Sequence, residues 1–375
     1  MFKGVHLSLL IGPAVPIAVS KTVIDSLESV KVTSSATGVS GFELTFRIDV
    51  NSPLQTLFLI GQGVSIPLVR VVVVVTVNGQ TTVLIDGVMT DHHVGLDDTN
   101  GYTSLTIIGE DLTRVMDWIN LSGLPMPAMP AEAQVLLALA KYALFGVVPM
   151  VIPSVLIDIP LPTERLPRQQ GTDLKHIRRL ASQVGYVFYL DPGPVPGVSV
   201  AYWGPQIKLG TPQPALSVDA DGATNVKTLT MSFDNERKVM PIIWIQAPII
   251  NVPLPIPVPD ITPFDPPLGL IPPIPKHIRS IEGVAKFSAL RALIVAFAKL
   301  AQTADVVAAS GTLDVIRYGQ VLKPRSLVGL RGVGTAFDGL YYVESVTHDI
   351  KRGQYDQQFK LTRNGLVSTL SSVAA

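Results

Sequence analysis

The residues of this chain that are able to do chemistry are few and scattered. His92 and His93 are adjacent, with Asp91 before them and Asp97 and Asp98 shortly after. Imidazole and carboxylate are common metal ligands, so this is the best candidate for a cation site. The same residues also suit a polar strand end beside a turn, because Asn100-Gly101 follows them. We read them that way, and the pair Asp97-Asp98 with them. His176 stands in a helical stretch beside Arg178 and Arg179, which reads as a solvated helix face. His348 alternates with Val346 and Ile350, which reads as an outward-facing strand position. Gly329, Gly332 and Gly334 in GLRGVGTAFDG invite comparison with a nucleotide-binding loop. Such a loop must follow a strand and open a helix. Here more strand pattern follows, so these are turn glycines. Neither G-x-S-x-G nor H-E-x-x-H occurs. The motifs therefore point away from an enzyme, and no cofactor or metal is expected.

Composition narrows the remaining classes. A chain of 375 residues suits two or three domains. Its 29 basic residues balance its 29 acidic ones, which leaves no electrostatic footprint for nucleic acid. Only 15% of residues are charged and 47% are hydrophobic, with a mean hydropathy of +0.40. Such a chain has either an extensive core or a surface that meets other subunits. No cysteine is present, so disulfides and thiolate metal ligands are excluded.

The apolar N-terminus is interrupted by Pro13 and Pro16 and has no clear small-residue cleavage site, so a folded mature N-terminus is expected. Two further apolar stretches invite a membrane reading. The first, Ala133 to Ile159, carries Lys141, Pro149, Pro153 and Asp158. The second, Ala289 to Ala309, carries Arg291, Lys299 and Asp305. A span needs about 20 apolar residues with few or no charges, so both read as buried or interface helices.

The elements that must position these residues follow from periodicity. Alternation marks strands in Val19 to Val32, and again where Phe42, Leu44, Phe46 and Ile48 interleave with polar residues. The run VRVVVVVTV is β-branched, Asn78-Gly79 predicts a type I′ hairpin, and TTVLIDGVMTDHHVG returns. Tyr102 to Ile108 alternates once more. From Glu110 the period becomes helical. GEDLTRVMDW predicts a short helix with acids in its first turn, and Ala131 to Leu144 predicts a second. A third helix is capped by Thr172 or Asp173, carries Leu174, Ile177, Leu180, Ala181 and Val184 on one face, and stops at Gly185. Strands then follow over Tyr186 to Leu190 and Val198 to Trp203. β pattern resumes near Asn225, a helix is expected over Ser288 to Ala308, and the rest is β.

One segment is unusual. Eleven prolines fall between Pro248 and Pro275, interleaved with Ile, Val and Leu. Proline lacks the amide hydrogen of helix and sheet interiors, so an extended or polyproline conformation is expected. Two readings stay open: a loop packed on its own subunit, or an arm laid on a neighbour.

The C-terminal block DGLYYVESVTHDIKRGQYDQQFKLTRNGL resembles the end of the late control D family, the tail hub proteins of contractile phages and related injection systems. TDLKHIRRLASQVGYVFYLDPG is similar to that family's helix, Gly, aromatic, strand segment, and GEDLTRVMDW to the element closing its first barrel. The resemblance covers most of the chain, with gaps at the Pro-rich regions. It implies a mainly β fold with an α+β insertion: two similar tube-type antiparallel β-barrel domains plus a small α+β domain. It implies a homotrimer presenting six barrels as a pseudo-sixfold ring, which adapts a hexameric inner tube to a trimeric spike. The spike is expected to be a separate chain. Further expected partners are the inner tube protein, baseplate proteins and LysM-type adaptors. Assembly is expected in the cytoplasm and residence in the baseplate of a virion or an extracellular or membrane-anchored particle.

The corresponding boundaries are 1–115 for the first barrel and 116–220 for the insertion. The second barrel takes 221–247 and 310–366, with the Pro-rich segment and helix 248–309 inserted in it and a tail over 367–375. Tyr341, Tyr342, Val343, Arg363 and Asn364 are the structural candidates in the second barrel. Pro253, Pro255 and Pro257 represent the Pro-rich arm. The alternative function is a membrane-associated or surface β-rich binding protein.

Overall fold

Side chains branched at Cβ crowd a helix but suit the pleated surface of a sheet. In the computed structural model the valine run accordingly forms a strand. The structure describes residues 4–48 apart from 14, 68–97, 102–154, 166–246 apart from 220, 253–257, 266–281, 293, 295–297, 300 and 303–369. Asp98 and Asn100-Gly101 lie outside the described residues.

The first β module contains β1 (Val5–Gly12), β2 (Ile17–Ala18), β3 (Leu27–Ser35), β4 (Gly41–Ile48), β5 (Arg70–Val77), β6 (Gln80–Asp97) and β7 (Tyr102–Asp111). A short helix, α1 (Lys21–Asp25), interrupts the alternation expected from Val19 to Val32, and its Val23 is buried in the module's core. At the β5–β6 turn, Asn78 and Gly79 have φ of +47° and +82°, as a type I′ hairpin requires. The strands lie in the order β3-β4-β7-β6-β5-β1-β2. Alternate residues Val30, Val32, Phe42, Leu44, Phe46, Val71, Val73 and Val75 fill one core.

The α+β insertion follows. It holds α2 (Thr113–Met116), α3 (Ala131–Ala140), β8 (Val147–Val151), α4 (Asp173–Val184), β9 (Val187–Pro192) and β10 (Ser199–Gly204). Glu110 and Asp111 belong to β7, not to the first turn of α2, although Asp111 accepts the Thr113 N–H at 3.0 Å. α3 ends before Leu144 because the chain turns at Gly146, at φ +71°, where a Cβ would lie 2.1 Å from the Gly197 carbonyl oxygen. In α4, the Thr172 side chain accepts the Lys175 N–H and Gly185 closes the helix at φ +74°. Met116, Val135, Leu139, Ile177, Leu180 and Trp203 pack between these elements.

The second β module is built from β11 (Gln213–Ser217), β12 (Val226–Phe233), β17 (Val307–Asp314), β18 (Leu327–Arg331), β19 (Gly339–Lys351) and β20 (Gln354–Arg363). β11 lies in the stretch read as insertion but pairs with β18. The expected helix Ser288–Ala308 stops short, because Val307 and Ala308 pair with Arg363 and Thr362 of β20. The order is β12-β17-β20-β19, with β18 beside β19. Asn225 draws the ends together: its amide accepts the Ser217 N–H at 2.9 Å and donates to the Ala215 carbonyl at 3.2 Å.

Between β12 and β17 lies a small sheet of β13 (Val239–Gln246), β14 (Pro253–Pro257) and β16 (His277–Ser280), in the order β14-β13-β16. Ile243 packs against helical residues Val295, Ala296 and Leu300. β15 (Gly269–Ile271) pairs with β21 (Leu366–Ser368) near the C-terminus. The fold is therefore mainly antiparallel β with an α+β insertion. Its two β modules share a single thirteen-stranded sheet.

Candidate assembly interface

The union of the two modules is the first feature of the site. β19 pairs antiparallel with β3, from Ser345 opposite Ser35 to Lys351 opposite Ser29. The hydroxyls of Thr33 and Thr347 lie 3.0 Å apart across this ladder, and the Ala36 N–H donates to the Glu344 carbonyl at 2.8 Å. A backbone ladder is how one sheet edge captures another.

Arg325 locks this joint to the insertion. Its guanidinium donates to Asp191 of β9 at 2.8 Å and to the Ser35 carbonyl of β3 at 2.7 Å. It also stacks over the Tyr189 ring at 4.1 Å. One side chain thus holds the second module, the first module and the insertion together. A second lock is Arg70–Asp86. Nε donates to Oδ1 at 2.7 Å and Nη2 to Oδ2 at 2.6 Å, while Nη2 also reaches the carbonyls of Phe145 and Gly197. Both side chains are almost fully buried, and the geometry is the two-point fork that makes such pairs strong.

The C-terminal candidates form a third cluster. Arg363 is wholly buried and donates to the carbonyls of Ala336, Asp338 and Gly365. It sits 4.6 Å from the Tyr341 ring centroid, and Tyr341 Oη donates to the Phe337 carbonyl at 2.6 Å. Burial pushes the Tyr341 phenol up to about 12 and depresses the Arg363 guanidinium. Asn364 accepts the Leu268 N–H at 2.8 Å and donates to the Pro266 carbonyl at 3.0 Å. It staples the Pro-rich segment to the end of β20. Val343 is buried in the second core, and Tyr342 packs with Leu268 and Leu327.

The prolines have a defined place as well. Pro253, Pro255 and Pro257 stand at alternate positions of β14, opposite Gln246, Trp244 and Ile242 of β13. Only Leu254 and Ile256 can donate to β13, so the proline positions face the other way. The outer edge of β14 therefore has no N–H to offer.

Similarity to known proteins now adds to this geometry. No family model matches the chain, and no curated protein matches it by sequence. Solved structures do. The tail protein from Neisseria meningitidis MC58 has 14% identity and a TM-score of 0.63, with 97% of this chain and 98% of that one covered. The 43 kDa tail protein of prophage MuSo2 from Shewanella oneidensis gives 15%, 0.62, 96% and 98%. A chain of the Francisella PdpA–VgrG complex gives 10% and 0.60, with 99% of this chain but 60% of that one covered.

The chain has the fold of phage tail proteins. In this tail-protein fold the scattered polar candidates stay apart. His93 lies 3.6 Å from Asp91 on an exposed surface, and the cluster occupies the last part of β6, which ends at Asp97. No group of three metal-ligating side chains occurs among the described residues. Gly332 is a turn residue at φ +88°, where a Cβ would lie 1.9 Å from the Val218 carbonyl oxygen. More strand follows it.

Two readings of histidine require correction. His176 is buried, not solvated: Nε2 meets Gln134 Oε1 at 3.1 Å, while Arg179 Nη2 and the Gln170 N–H approach Nδ1. His348 faces inward, where Nδ1 lies 2.9 Å from Tyr355 Oη and 3.3 Å from Gln357 Nε2. Burial holds the first near 4, with Arg179 adding to the shift, and the second near 3. Two-residue spacing in fact puts His348 on the same face as Val346 and Ile350, and that face of β19 is the buried one, while Thr347 and Asp349 on the other face are half-buried.

Arg325, Arg70 and Asp86 escaped the motif search. A signal existed for the last two. Each is a charge within an apolar strand, and the two flank the Asn78-Gly79 turn almost symmetrically.

Proposed function

We propose that this chain is the baseplate hub of a contractile injection system or phage tail. Its role is structural, not catalytic. Three copies form a pseudo-sixfold ring of β modules that joins a hexameric inner tube to a separate trimeric spike. The observation that carries this reading is the β19–β3 ladder. One chain already performs, between its own modules, the edge-to-edge union that a ring requires.

The outermost strands of the path are β12 at one end and β1 with β2 at the other. The Asp234 N–H donates to the Val306 carbonyl, so Ser232, Thr230 and Thr228 bond β17. Leu229, Met231 and Phe233 accordingly turn their backbone groups outward. No proline interrupts β12, in contrast to β14. An unblunted edge invites pairing. Joining the β12 edge of one copy to the first module of the next is a heterologous contact that closes after three steps.

The proposal keeps the first module over 1–115 and the insertion after it, moves β11 from the insertion into the second module with β12, β17, β18, β19 and β20, and includes the inner tube, baseplate and LysM-type proteins as neighbours. Residence in the baseplate of an assembled particle follows from it. In this reading Tyr341, Tyr342, Val343, Arg363 and Asn364 brace the second module, and the segment carrying Pro253, Pro255 and Pro257 reaches a neighbour. Native mass spectrometry of the chain co-expressed with the candidate spike protein encoded beside it is the test. Three copies of each support the hub. A monomer that ignores the spike and needs detergent would sink it.

A further inference from the structure

The sheet β14-β13-β16 has two unlike edges. β14 closes one with Pro253, Pro255 and Pro257. The other is β16, which pairs with β13 in parallel, from Val239 opposite His277 to Ile242 opposite Ser280. The Ile281 N–H donates to the Ile242 carbonyl, so residues 277, 279 and 281 bond inward. In a strand the bonding direction alternates, so Ile278 and Ser280 aim N–H and C=O away from β13. All of β16 is exposed.

The chemistry around this edge is one-sided. Ile274, just before β16, is 82% exposed, and Ile278 within it 66%. Lys276 and Arg279 stand among them, and no acidic residue occurs from Pro266 to Ile281. An open strand edge supplies backbone bonds, and apolar side chains supply buried area. Neither cation has an ion-pair partner among the described residues, and unpaired cations favour an acidic partner.

The geometry points to a docking site for an extended segment of another protein, one that alternates acidic and apolar residues and adds as a strand to β16. This inference goes beyond the hub reading and does not require the ring.

The probe is a fluorescein-labelled peptide, Glu-Ile-Glu-Val-Glu-Ile-Glu, titrated with the full chain and followed by anisotropy. A lysine counterpart and phosphatidylglycerol vesicles run beside it. The acidic peptide is expected to bind at least tenfold tighter than the lysine one. Ile278→Pro removes an outward N–H and no internal bond, so it should weaken binding at least tenfold without lowering Tm. Ile278→Ala keeps that N–H and should bind more tightly than the proline variant. Lys276→Glu with Arg279→Glu should reverse the peptide preference. Equal binding of both peptides, an unaffected proline variant, no binding, or a preference for the vesicles would each overturn the proposal. None of these results bears on the three-to-three mass expected of a hub.

Discussion

Arg325 and Asp191 are joined by an ion pair of 2.8 Å that ties the second β module to the insertion. The bond to the Ser35 carbonyl extends the tie to the first module. Arg325 holds φ at +61°, a left-handed conformation that costs a non-glycine residue about 1 kcal/mol or more. Its Nε is buried, and the backbone N–H donates to the Val343 carbonyl. Arg325→Ala should lose about 1–2 kcal/mol in urea denaturation, since it strands the half-buried Ser35 carbonyl and keeps the backbone strain. Arg325→Gly should lose less, because glycine relieves φ. Arg325→Lys should recover little, lacking the planar fork. A loss under about 0.5 kcal/mol for the alanine variant would remove Arg325 from this role.

Arg70 and Asp86 make the sharper case. Leaving one buried charge without its partner costs about 3–5 kcal/mol. Asp86→Asn should therefore be severe, and the double change Arg70→Met with Asp86→Leu much milder. Single-variant losses that simply add up in the double variant would mean that the pair is not coupled.

The two buried histidines set the acid response. Both are neutral in the fold, with Nδ1 facing donors, and their folded values lie near 4 for His176 and near 3 for His348. An unfolded histidine titrates at about 6.5. Above that pH neither state binds the proton, and no stability is at stake. Below it the unfolded chain takes protons that the fold refuses, so stability falls as pH drops. By pH 5 the loss is about 2 kcal/mol per histidine, and it levels off only below the folded value. Measured stability against pH should thus slope downward from pH 6 to 4. His348→Gln should flatten that slope by about one proton; an unchanged slope would contradict it.

Ring assembly should depend on the β12 edge. Met231→Pro removes an outward N–H and no bond to β17. Trimer mass should vanish while circular dichroism of the monomer persists, and Met231→Ala should still assemble. Trimers from the proline variant would place the subunit contact elsewhere.

Much of this was readable from residue order. Five successive valines and the Asn78-Gly79 turn forced a hairpin, since β-branched side chains and positive φ leave little else. Capping chemistry at Thr172 or Asp173 and at Gly185, with apolar residues at helical spacing between, marked α4, and the structure puts the cap at Thr172. Alternating prolines announced an extended segment, though the missing donors also made it an edge, which is a property of the sheet around it.

Local pattern determined most strands, helices and turns, because these depend on bonds and side chains a few residues apart, but it missed α1 and overran α3 and the helix before β17. Tertiary structure decided the rest. His348 shares a strand face with Val346 and Ile350, so its inward direction was legible, but only the tertiary structure supplies Tyr355 and Gln357 as its partners. Ser35 and Ser345 are 310 positions apart in sequence, and nothing near either one foretells their pairing. Partners of that kind are chosen by the packing of whole modules, which closes long loops at little added entropy per residue and leaves no local trace.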